Sequence, residues 1–368
     1  MVPRRGPSRA APGKPGVGAE NHRESWLNHF ATELHPPRTD PSAPDALARL
    51  VELVGPDLQA CNRTIVARMD SPVALIPQVA AHIVAAGGKR LRPLLTLATA
   101  RMCGYQGSRH IDLAACVEFI HTATLLHDDV VDESLLRRGL SSANATFGNK
   151  ASVLVGDFLF ARAFQLMVED GSLSVLSILS RAAATIAEGE VSQLVIQNDL
   201  ATSLDQYFEV IRGKTAALFS AACEVGAVVA GRPAPEQAAM AAFGMDLGIA
   251  FQLVDDALDY AADQSKLGKT VGDDFREGKI TMPVLAAYHA GDAPAREFWV
   301  RTIEASSQGE GDLEHALDLI GRSDAIQTTL NHAATFTDRA KDALLAFPPS
   351  PMRDTLADVA DYTVSRAS

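Results

Sequence analysis

A helical repeat of apolar residues is the feature of this sequence that most limits its fold. From Asp45 to Arg366, Ala, Leu, Val and Ile recur at the spacing of one helix face, between short breaks of Gly, Pro and Asp. Hairpin signals such as Asn-Gly or Asp-Gly between alternating strands are missing. The pair Asp170-Gly171 is present, but it lies between two helical segments. Ala-rich stretches such as residues 181–190 indicate helices buried on more than one face. The pattern predicts an all-α fold, a single large helical bundle.

The beginning of the chain differs in composition from the rest. Prolines recur throughout residues 1–44, and the helical pattern starts only after them. The first residues lack the apolar segment of a secretory signal. They are Arg-rich and free of acidic residues before Glu20, as in a transit peptide, but Pro and Gly would break the amphipathic helix that import needs. We expect a disordered extension over residues 1–44 and one folded domain over residues 45–368.

Charge and cysteine usage narrow the partners and the compartment. The chain has 45 Asp and Glu against 33 Lys and Arg, a formal charge of -12, which argues against nucleic acid as a partner. The four cysteines form no Cys-x-x-Cys pair, so neither a disulfide framework nor a zinc site is indicated. No uncharged apolar run reaches the ~18 residues of a transmembrane helix. These features predict a cytoplasmic protein without a transmembrane segment.

Two short acidic motifs recur within the helical pattern. They are Asp128-Asp129-Val130-Val131-Asp132 and Asp255-Asp256-Ala257-Leu258-Asp259. In each motif the first and last carboxylates are one turn apart, which places them on one helix face. Asp is a poor helix former, and like charges at this spacing cost a further ~0.2–0.5 kcal/mol. Another interaction must therefore offset the repulsion.

The simplest explanation of the motifs is a solvated helix face, but their neighbours argue against it. Leu126 and Val130 flank the first motif and Leu253 and Val254 flank the second, so the carboxylates emerge from apolar helices. Partly buried carboxylates are costly unless they are paired or bind a metal, and oxygen ligands without Cys suit Mg²⁺. Two such clusters facing each other would hold two or three Mg²⁺ ions over a diphosphate.

His127 precedes the first motif and raises the alternative of a metal phosphohydrolase. Such a site needs further His ligands on other helices. His82, His110 and His121 are available, but their spacing gives no support. We therefore expect His127 to be a packed or capping residue.

Cations cluster near a helix start and after each acidic motif. Lys89 and Arg92 lie where a helix begins, so both could point at a diphosphate with help from backbone N–H groups. Arg137 and Arg138 follow the first motif closely enough to reach a metal-bound phosphate. Gly-Lys-Thr occurs at residues 213–215 and 268–270, but both lack the earlier Gly of a phosphate loop. The alternative for each is a Lys-Thr pair on the surface without a function.

The sequence resembles the trans-isoprenyl diphosphate synthases in four segments: GGKRLRP (87–93), EFIHTATLLHDDVVDESLLRRG (118–139), GKTAALF (213–219) and FQLVDDALDYAADQSKLGKTVGDDFREGK (251–279). The likeness covers about residues 45–368 and is closest to the bacterial octaprenyl and decaprenyl branch, which serves quinone side chains. It implies an all-α bundle around a deep central cavity, usually as a homodimer.

The resemblance also implies a role for each charged motif. Asp128 and Asp132, with Asp129 in support, would bind the Mg²⁺ that holds an allylic diphosphate. Asp255, Asp256 and Asp259 would hold another Mg²⁺. The positions that match contacts to the allylic diphosphate are Arg137, Lys214, Thr215, Gln252, Lys269 and Lys279. Those that match the isopentenyl diphosphate site are Lys89, Arg92, His121 and Arg138.

The activity implied is head-to-tail addition of isopentenyl diphosphate to an allylic diphosphate, farnesyl or geranylgeranyl diphosphate being the expected starter. Ala123 and Thr124 lie one turn before Asp128, where short-chain members carry aromatic residues. Small residues would leave the product tunnel open, which predicts an octaprenyl to decaprenyl (C40–C50) product. So apolar a product suggests contact with a membrane surface at its release.

Two other functions share part of this pattern. A terpene cyclase has a similar first motif, but its second metal motif normally contains Asn or Asp, Ser or Thr, and Glu. A non-catalytic subunit of a heteromeric synthase loses one aspartate motif. Both motifs are Asp-rich and intact here, which favours the synthase.

Overall fold

The computed structural model describes residues 46–85, 88–137, 139–261 and 271–366. The predicted extension over residues 1–44 and the predicted site residues Arg138 and Lys269 lie outside these ranges. Within them the chain is almost entirely helical, so the all-α prediction is confirmed.

Seventeen α-helices are found in the described ranges, and each is given by its bounds. They are α1 Ala46–Leu53, α2 Gly55–Arg68, α3 Leu75–Ala85, α4 Leu91–Met102, α5 Arg109–Val131, α6 Ala143–Phe147, α7 Asn149–Asp170, α8 Leu173–Ile196, α9 Leu204–Ile211, α10 Ala217–Val229, α11 Ala234–Ala261, α12 Asp273–Arg276, α13 Met282–Ala290, α14 Ala293–Trp299, α15 Asp312–Arg322, α16 Ala325–Leu344 and α17 Pro351–Ser365. Two π-helical turns, Arg212–Ala216 and Val300–Glu304, continue α9 and α14.

A small hairpin interrupts the helices directly after the first acidic motif. Strand β1 (Leu136–Arg137) pairs antiparallel with β2 (Leu140–Ser141), with Leu136 opposite Ser141. The sequence had given no hairpin signal here, because Arg-Gly is not one of the usual turn pairs. Gly139 has a φ of 80°, a conformation that glycine adopts without steric cost, and this allows the tight reversal.

The hydrophobic core has two parts that meet along α11. The first part includes Met240, Phe243 and Leu247 of α11 together with buried residues of α1–α8, α10, α16 and α17. On α11 the second part begins at Ile249. It also includes buried residues of α9 and of α13–α16. Because α11 runs through both parts, the second acidic motif lies near the end of a helix that is packed along its length.

Small residues bring α11 very close to its neighbour. A Cβ built on Gly244 would lie 2.3 Å from the carbonyl oxygen of Phe219, and one built on Gly248 would lie 2.6 Å from Cα of Ala216. Side chains at either position would therefore push α11 away from α10 and the π-helical turn. This close approach sets the distance between the Gly-Lys-Thr segment and the second motif.

Two helices are long and apolar enough to cross a membrane by length and composition alone, Asn149–Asp170 and Ala234–Ala261. The second is α11, whose apolar window is 56% buried within the bundle. The first, α7, packs one face against α5, and its apolar window is 39% buried. Core helices pass the same test, so it is weak evidence for a membrane span.

Candidate active site

The first acidic motif forms the last turn of α5. Asp128 and Asp129 are helical, and Asp132 caps the helix by donating its N–H to the carbonyl of Asp128 at 2.8 Å. Asp129 is fully buried, whereas Asp128 and Asp132 are half-buried. The first and last carboxylates therefore remain partly exposed, and the middle carboxylate faces the interior of the protein.

Arg137 holds the buried carboxylate of Asp129. Its Nε and Nη2 donate to Oδ1 of Asp129 at 2.9 and 2.6 Å, and the Asp129 side chain is only 1% exposed. The side-chain amide of Asn144 donates to the Asp129 carbonyl at 2.9 Å. The hairpin thus positions Arg137 as the counter-charge of Asp129. The predicted contact of Arg137 with an allylic diphosphate stays a prediction.

The second acidic motif lies near the end of α11 and also has a buried middle carboxylate. Asp256 accepts from the hydroxyl of Tyr207 at 2.6 Å and from the amide of Gln252 at 2.8 Å. Gln252 in turn accepts from the hydroxyl of Thr215 at 2.8 Å. Burial, together with the charge of Asp274, raises the pKa of Asp256 to about 7. These hydrogen bonds tie the Gly-Lys-Thr segment to the second motif.

Lys279 joins the two motifs. Its ammonium lies 3.1 Å from Oδ2 of Asp132 and 4.0 Å from Oδ1 of Asp274. The N–H of Asp274 donates to Oδ2 of Asp259 at 3.1 Å. Burial alone would lower the pKa of Lys279, but the carboxylates around it raise it above its usual value. One half-buried cation therefore connects Asp132 of the first motif to the segment that holds Asp259 of the second.

A second lysine, Lys214, opposes the rise in the pKa of Asp128. Lys214 is in the π-helical turn and pairs with Glu190 of α8 at 2.6 Å. A Cβ on Gly189 would lie 2.4 Å from the backbone nitrogen of Lys214, so glycine lets the two backbones touch. Burial raises the pKa of Asp128 to about 7; Lys214 opposes this shift, and Glu190 and Asp132 add to it. π-Helical turns are frequent at functional sites.

The remaining cations lie at the start of α4. Arg92 Nη1 is 3.1 Å from Nε2 of His121, and its guanidinium stacks 4.3 Å from the ring centre of Phe219. Lys89 is exposed and donates to the hydroxyl of Tyr362 at 2.9 Å. Arg92 and His121, two of the predicted isopentenyl diphosphate residues, are therefore in contact.

The residues predicted to control chain length lie on α5, before the first motif. Ala123 is fully buried in the first part of the core. The hydroxyl of Thr124 donates to the carbonyl of His121 at 2.8 Å, so the hydroxyl has its hydrogen-bond partner within the helix. Their part in a product tunnel, and the depth of the predicted cavity, stay predictions.

Two histidines of the phosphohydrolase alternative, His127 and His110, have partners within the protein. His127 Nε2 lies 3.1 Å from the carbonyl of Val153, and its ring stacks on Phe160. His110 is buried against Asp57, with Nε2 3.0 Å from the carboxylate. In the part of the chain that the structure describes, no three His, Cys, Asp or Glu side chains come close enough to hold a metal together.

The donors nevertheless suit Mg²⁺ bound mainly through water and phosphate. Mg²⁺ typically uses one or two carboxylates and keeps several waters, so it needs no cage of three protein ligands. A hard cation would stabilise the carboxylate oxygens of four aspartates. Burial raises the pKa of Asp128. A cation or a backbone N–H group contacts each of the other three, Asp132, Asp255 and Asp259. Asp129 and Asp256 already have protein partners.

Sequence reasoning missed several residues of the site. Tyr207, Glu190 and Asn144 bond directly to the predicted residues but belong to no recognisable motif. Arg366, which directly follows α17, also pairs with Asp255. The distance from its Nη2 to Oδ1 of Asp255 is 3.2 Å. The sequence carries no signal for these contacts, because the partners lie far apart along the chain.

Comparisons with known proteins identify the family that the chain is similar to. A family model described as polyprenyl synthetase matches residues 73–320. The chain is 46% identical over 320 residues to an octaprenyl diphosphate synthase of Escherichia coli, covering 87% of this chain and 99% of that protein. A crystal structure of a decaprenyl diphosphate synthase from Rhodobacter capsulatus superposes with a TM-score of 0.84 at 53% identity, covering 88% and 99% of the two chains. A polyprenyl synthase from Caulobacter crescentus, complexed with calcium and isoprenyl diphosphate, gives 0.86 at 51%, covering 90% and 100%.

Proposed function

The chain belongs to the polyprenyl synthetase family, and we propose that it joins isopentenyl diphosphate head-to-tail to an allylic diphosphate, making a long all-trans polyprenyl diphosphate. The observation that carries the proposal is the bridge made by Lys279. Lys279 pairs with Asp132 of the first motif and lies near Asp274, whose N–H donates to Asp259 of the second motif, and the charge of Lys214 acts on Asp128. A diphosphate needs this combination of carboxylates for metal binding and cations for direct contact.

Mg²⁺ is the cofactor we assign to this cleft, two or three ions per site. Asp128 and Asp132 on one side and Asp255 and Asp259 on the other would hold it, with Asp129 and Asp256 fixing the two helix ends. When bound, it would neutralise charge on the diphosphate and so favour its departure. The Caulobacter relative was crystallised with calcium and isoprenyl diphosphate, a divalent cation and a ligand of the same class.

The lysines of the cleft would bind the diphosphate of the allylic substrate. Lys214 pairs with Glu190, and Lys279 pairs with Asp132 of the first motif. As the allylic C–O bond breaks, negative charge develops on the leaving diphosphate, and fixed ammonium groups stabilise that charge. Thr215 and Gln252 hold this edge of the site by their hydrogen bond.

The second substrate would bind at the start of α4. Arg92 and His121 are in contact, and the exposed Lys89 lies three residues before Arg92. These groups would orient isopentenyl diphosphate so that its double bond meets the allylic cation, after which loss of a proton gives a trans product five carbons longer. The departed diphosphate is the base that the family resemblance implies for that proton.

The chain-length assignment rests on the small residues before the first motif and on the relatives. Ala123 and Thr124 place no aromatic ring there, and the similar proteins include octaprenyl and decaprenyl diphosphate synthases. We assign a C40–C50 product for a quinone side chain, with farnesyl or geranylgeranyl diphosphate as the starter. The buried, free cysteines agree with a reducing cytoplasm, and release of so apolar a product at a membrane surface fits its chemistry.

A homodimer is the assembly we propose, because one face of α7 and α8 exposes large apolar side chains. Leu154 and Val168 of α7 are each 67% exposed, and Val191 and Val195 of α8 are 61% and 75% exposed. A two-fold dimer would bury these exposed apolar side chains against a copy of the same face. Leu154→Lys with Val195→Lys should give a monomer in light scattering, whereas an unchanged mass would exclude this face.

An assay of the purified chain alone tests the function. The chain is incubated with Mg²⁺, farnesyl diphosphate and labelled isopentenyl diphosphate, and the product is sized by chromatography after removal of the diphosphate. We expect C40–C50 chains. A cyclic hydrocarbon would indicate a terpene cyclase, and no turnover without a second protein would indicate a regulatory subunit.

A further inference from the structure

Arg90 has a backbone conformation that its residue type rarely adopts. Its φ and ψ are 45° and 39°, in the left-handed region, where the Cβ of an L-residue crowds its own backbone. Arg90 is also the N-cap of α4: its carbonyl accepts the N–H of Leu94 at 3.0 Å, but its side chain makes no capping hydrogen bond. The usual N-cap residues are Ser, Thr, Asp and Asn, with an extended backbone. Local preference therefore does not explain this turn.

A long-range contact holds the turn. Nη1 of Arg90 donates to Oδ1 of Asn62 on α2, and Asn62 is only 9% exposed. Burial raises the pKa of the neighbouring Cys61 thiol to about 12, and the charge of Arg90 opposes this rise, which agrees with a guanidinium that lies against α2. A hydrogen bond from a charged group is strong enough to offset the cost of one left-handed residue.

The cations at this turn have different partners. Arg90 contacts α2, whereas Arg92 contacts His121 of α5 and the ring of Phe219 of α10. Lys89, directly before the turn, is exposed. Because a left-handed residue reverses the local direction of the chain, the conformation of Arg90 sets the position of Lys89 relative to Arg92.

We propose that Arg90 is a positioning residue of the isopentenyl diphosphate site, and that its hydrogen bond to Asn62 holds the turn that presents Lys89 and Arg92 to one diphosphate. Arg90 acts through these neighbours and not through its own charge. A turn that is fixed in advance spares the substrate the cost of ordering it, so the contact raises affinity. The inference rests on the proposed function, because Lys89 and Arg92 are assigned there to this substrate.

Replacement of Arg90 by Ala and by Gly separates backbone conformation from charge. Both variants lose the guanidinium, but glycine adopts the left-handed conformation without steric cost and alanine does not. Arg90→Ala should weaken binding of isopentenyl diphosphate about five- to tenfold, and Arg90→Gly only about two- to threefold. Calorimetric titration in EDTA gives both dissociation constants without turnover. A loss in Arg90→Gly as large as that in Arg90→Ala would make the charge of Arg90 a direct contact of the diphosphate and would overturn the proposal.

Asn62→Ala removes the acceptor and leaves every cation of the site in place. Binding of isopentenyl diphosphate should weaken about three- to fivefold, because the turn loses its anchor. The dissociation constant of farnesyl diphosphate, measured with Mg²⁺, should not change, since that substrate is assigned to other residues. Wild-type affinity for isopentenyl diphosphate in a folded Asn62→Ala variant would show that the contact does not position the site.

Arg101→Gln is the matched control, because it weakens the contact of the same two helices at the other end of α4. Nε of Arg101 donates to Oδ2 of Asp57 on α2 at 2.6 Å. The variant should unfold at a lower temperature and bind isopentenyl diphosphate as the wild type does. A loss of affinity equal to that of Asn62→Ala would mean that general packing of α2 on α4, and not the turn at Arg90, controls binding, and would overturn the proposal.

Failure of the proposed function is read separately, from prenyl transfer by the wild-type chain with Mg²⁺ and both substrates. A wild-type chain that binds isopentenyl diphosphate but transfers no prenyl group would refute the proposed function. The order of the variants in the titration would still decide whether Arg90 positions the diphosphate site.

Discussion

The two acidic motifs have the same spacing but are stabilised by different chemistry. The middle carboxylate is buried in both. Asp129 is neutralised by the guanidinium of Arg137, whereas the donors that contact Asp256 among the described residues, Tyr207 and Gln252, are neutral. Burial accordingly raises the pKa of Asp256 to about 7. The same three-aspartate pattern thus contains one ion pair and one hydrogen-bonded carboxyl group whose pKa is raised by burial.

The outer carboxylates differ less and face the cleft. Asp132 is 3.1 Å from Lys279, and Asp255 is 3.2 Å from Arg366. The aspartates of the two motifs are therefore of two kinds: the buried middle one is held by hydrogen bonds from the protein, and the outer ones are those that we propose as metal ligands.

The largest effect should separate outer from middle aspartates in turnover. Asp128→Asn and Asp255→Asn each remove an anionic oxygen from the cleft, and we expect kcat to fall by roughly 10²–10³, the usual cost of one preorganised electrostatic contact. Circular dichroism should show an unchanged helix content. The distinction between outer and middle positions is broken if Asp256→Asn, with the fold intact, slows turnover as much as Asp255→Asn.

Stability should separate the two middle aspartates from each other. Asp129→Asn leaves the Arg137 guanidinium without its counter-charge, and hydrogen bonds to charged groups contribute about 1.5–3 kcal/mol. Asp256→Asn keeps an acceptor for Tyr207 and removes a poorly solvated charge, so it should change the free energy of unfolding by less than about 1 kcal/mol. Urea titration of both variants at neutral pH measures the difference; equal losses would contradict the comparison.

The pH dependence of stability should also reveal the neutral environment of Asp256. In metal-free protein its pKa is raised above the unfolded value of 3.8 to about 7. Between these values the folded state holds a proton that the unfolded state has lost, so this group makes stability fall as pH rises from about 4 to 7. The difference in unfolding free energy between Asp256→Asn and wild type, measured in EDTA, should therefore increase over that window.

His110 has the opposite dependence and explains why the difference between variant and wild type is needed. Burial, against the favourable contact with Asp57, lowers the pKa of His110 below 6.5. The unfolded state then binds the extra proton, so this group makes stability fall as the solution is acidified through about 6.5. Subtraction removes the His110 contribution, because both proteins share it. A flat difference curve would mean that Asp256 is ionised in the folded chain.

Sequence reasoning predicted the fold class and the two carboxylate sets because both are periodic properties of the chain. The helical repeat determines the class, and the one-turn spacing determines which aspartates share a face. The partners of those aspartates could not be predicted. The contact of Arg137 with Asp129 depends on a hairpin of two-residue strands, and the contact of Arg366 with Asp255 joins residues 111 positions apart. Such contacts depend on how helices pack, which no local pattern encodes.

The residues that precede the two motifs extend the comparison to product length, where we expect the smallest effect on rate. Ala123 and Thr124 precede the first motif, whereas Ala250 and Phe251 occupy the corresponding positions before the second. Only the second motif therefore has a ring one turn before it. Because the growing tail is assigned to the α5 side, Ala123→Phe should shorten the product while the first condensations keep their rate. Reversed-phase chromatography of the products measures this, and thermal unfolding checks that the buried site accepts the ring. Unchanged chain lengths in a folded variant would show that Ala123 serves helix packing alone.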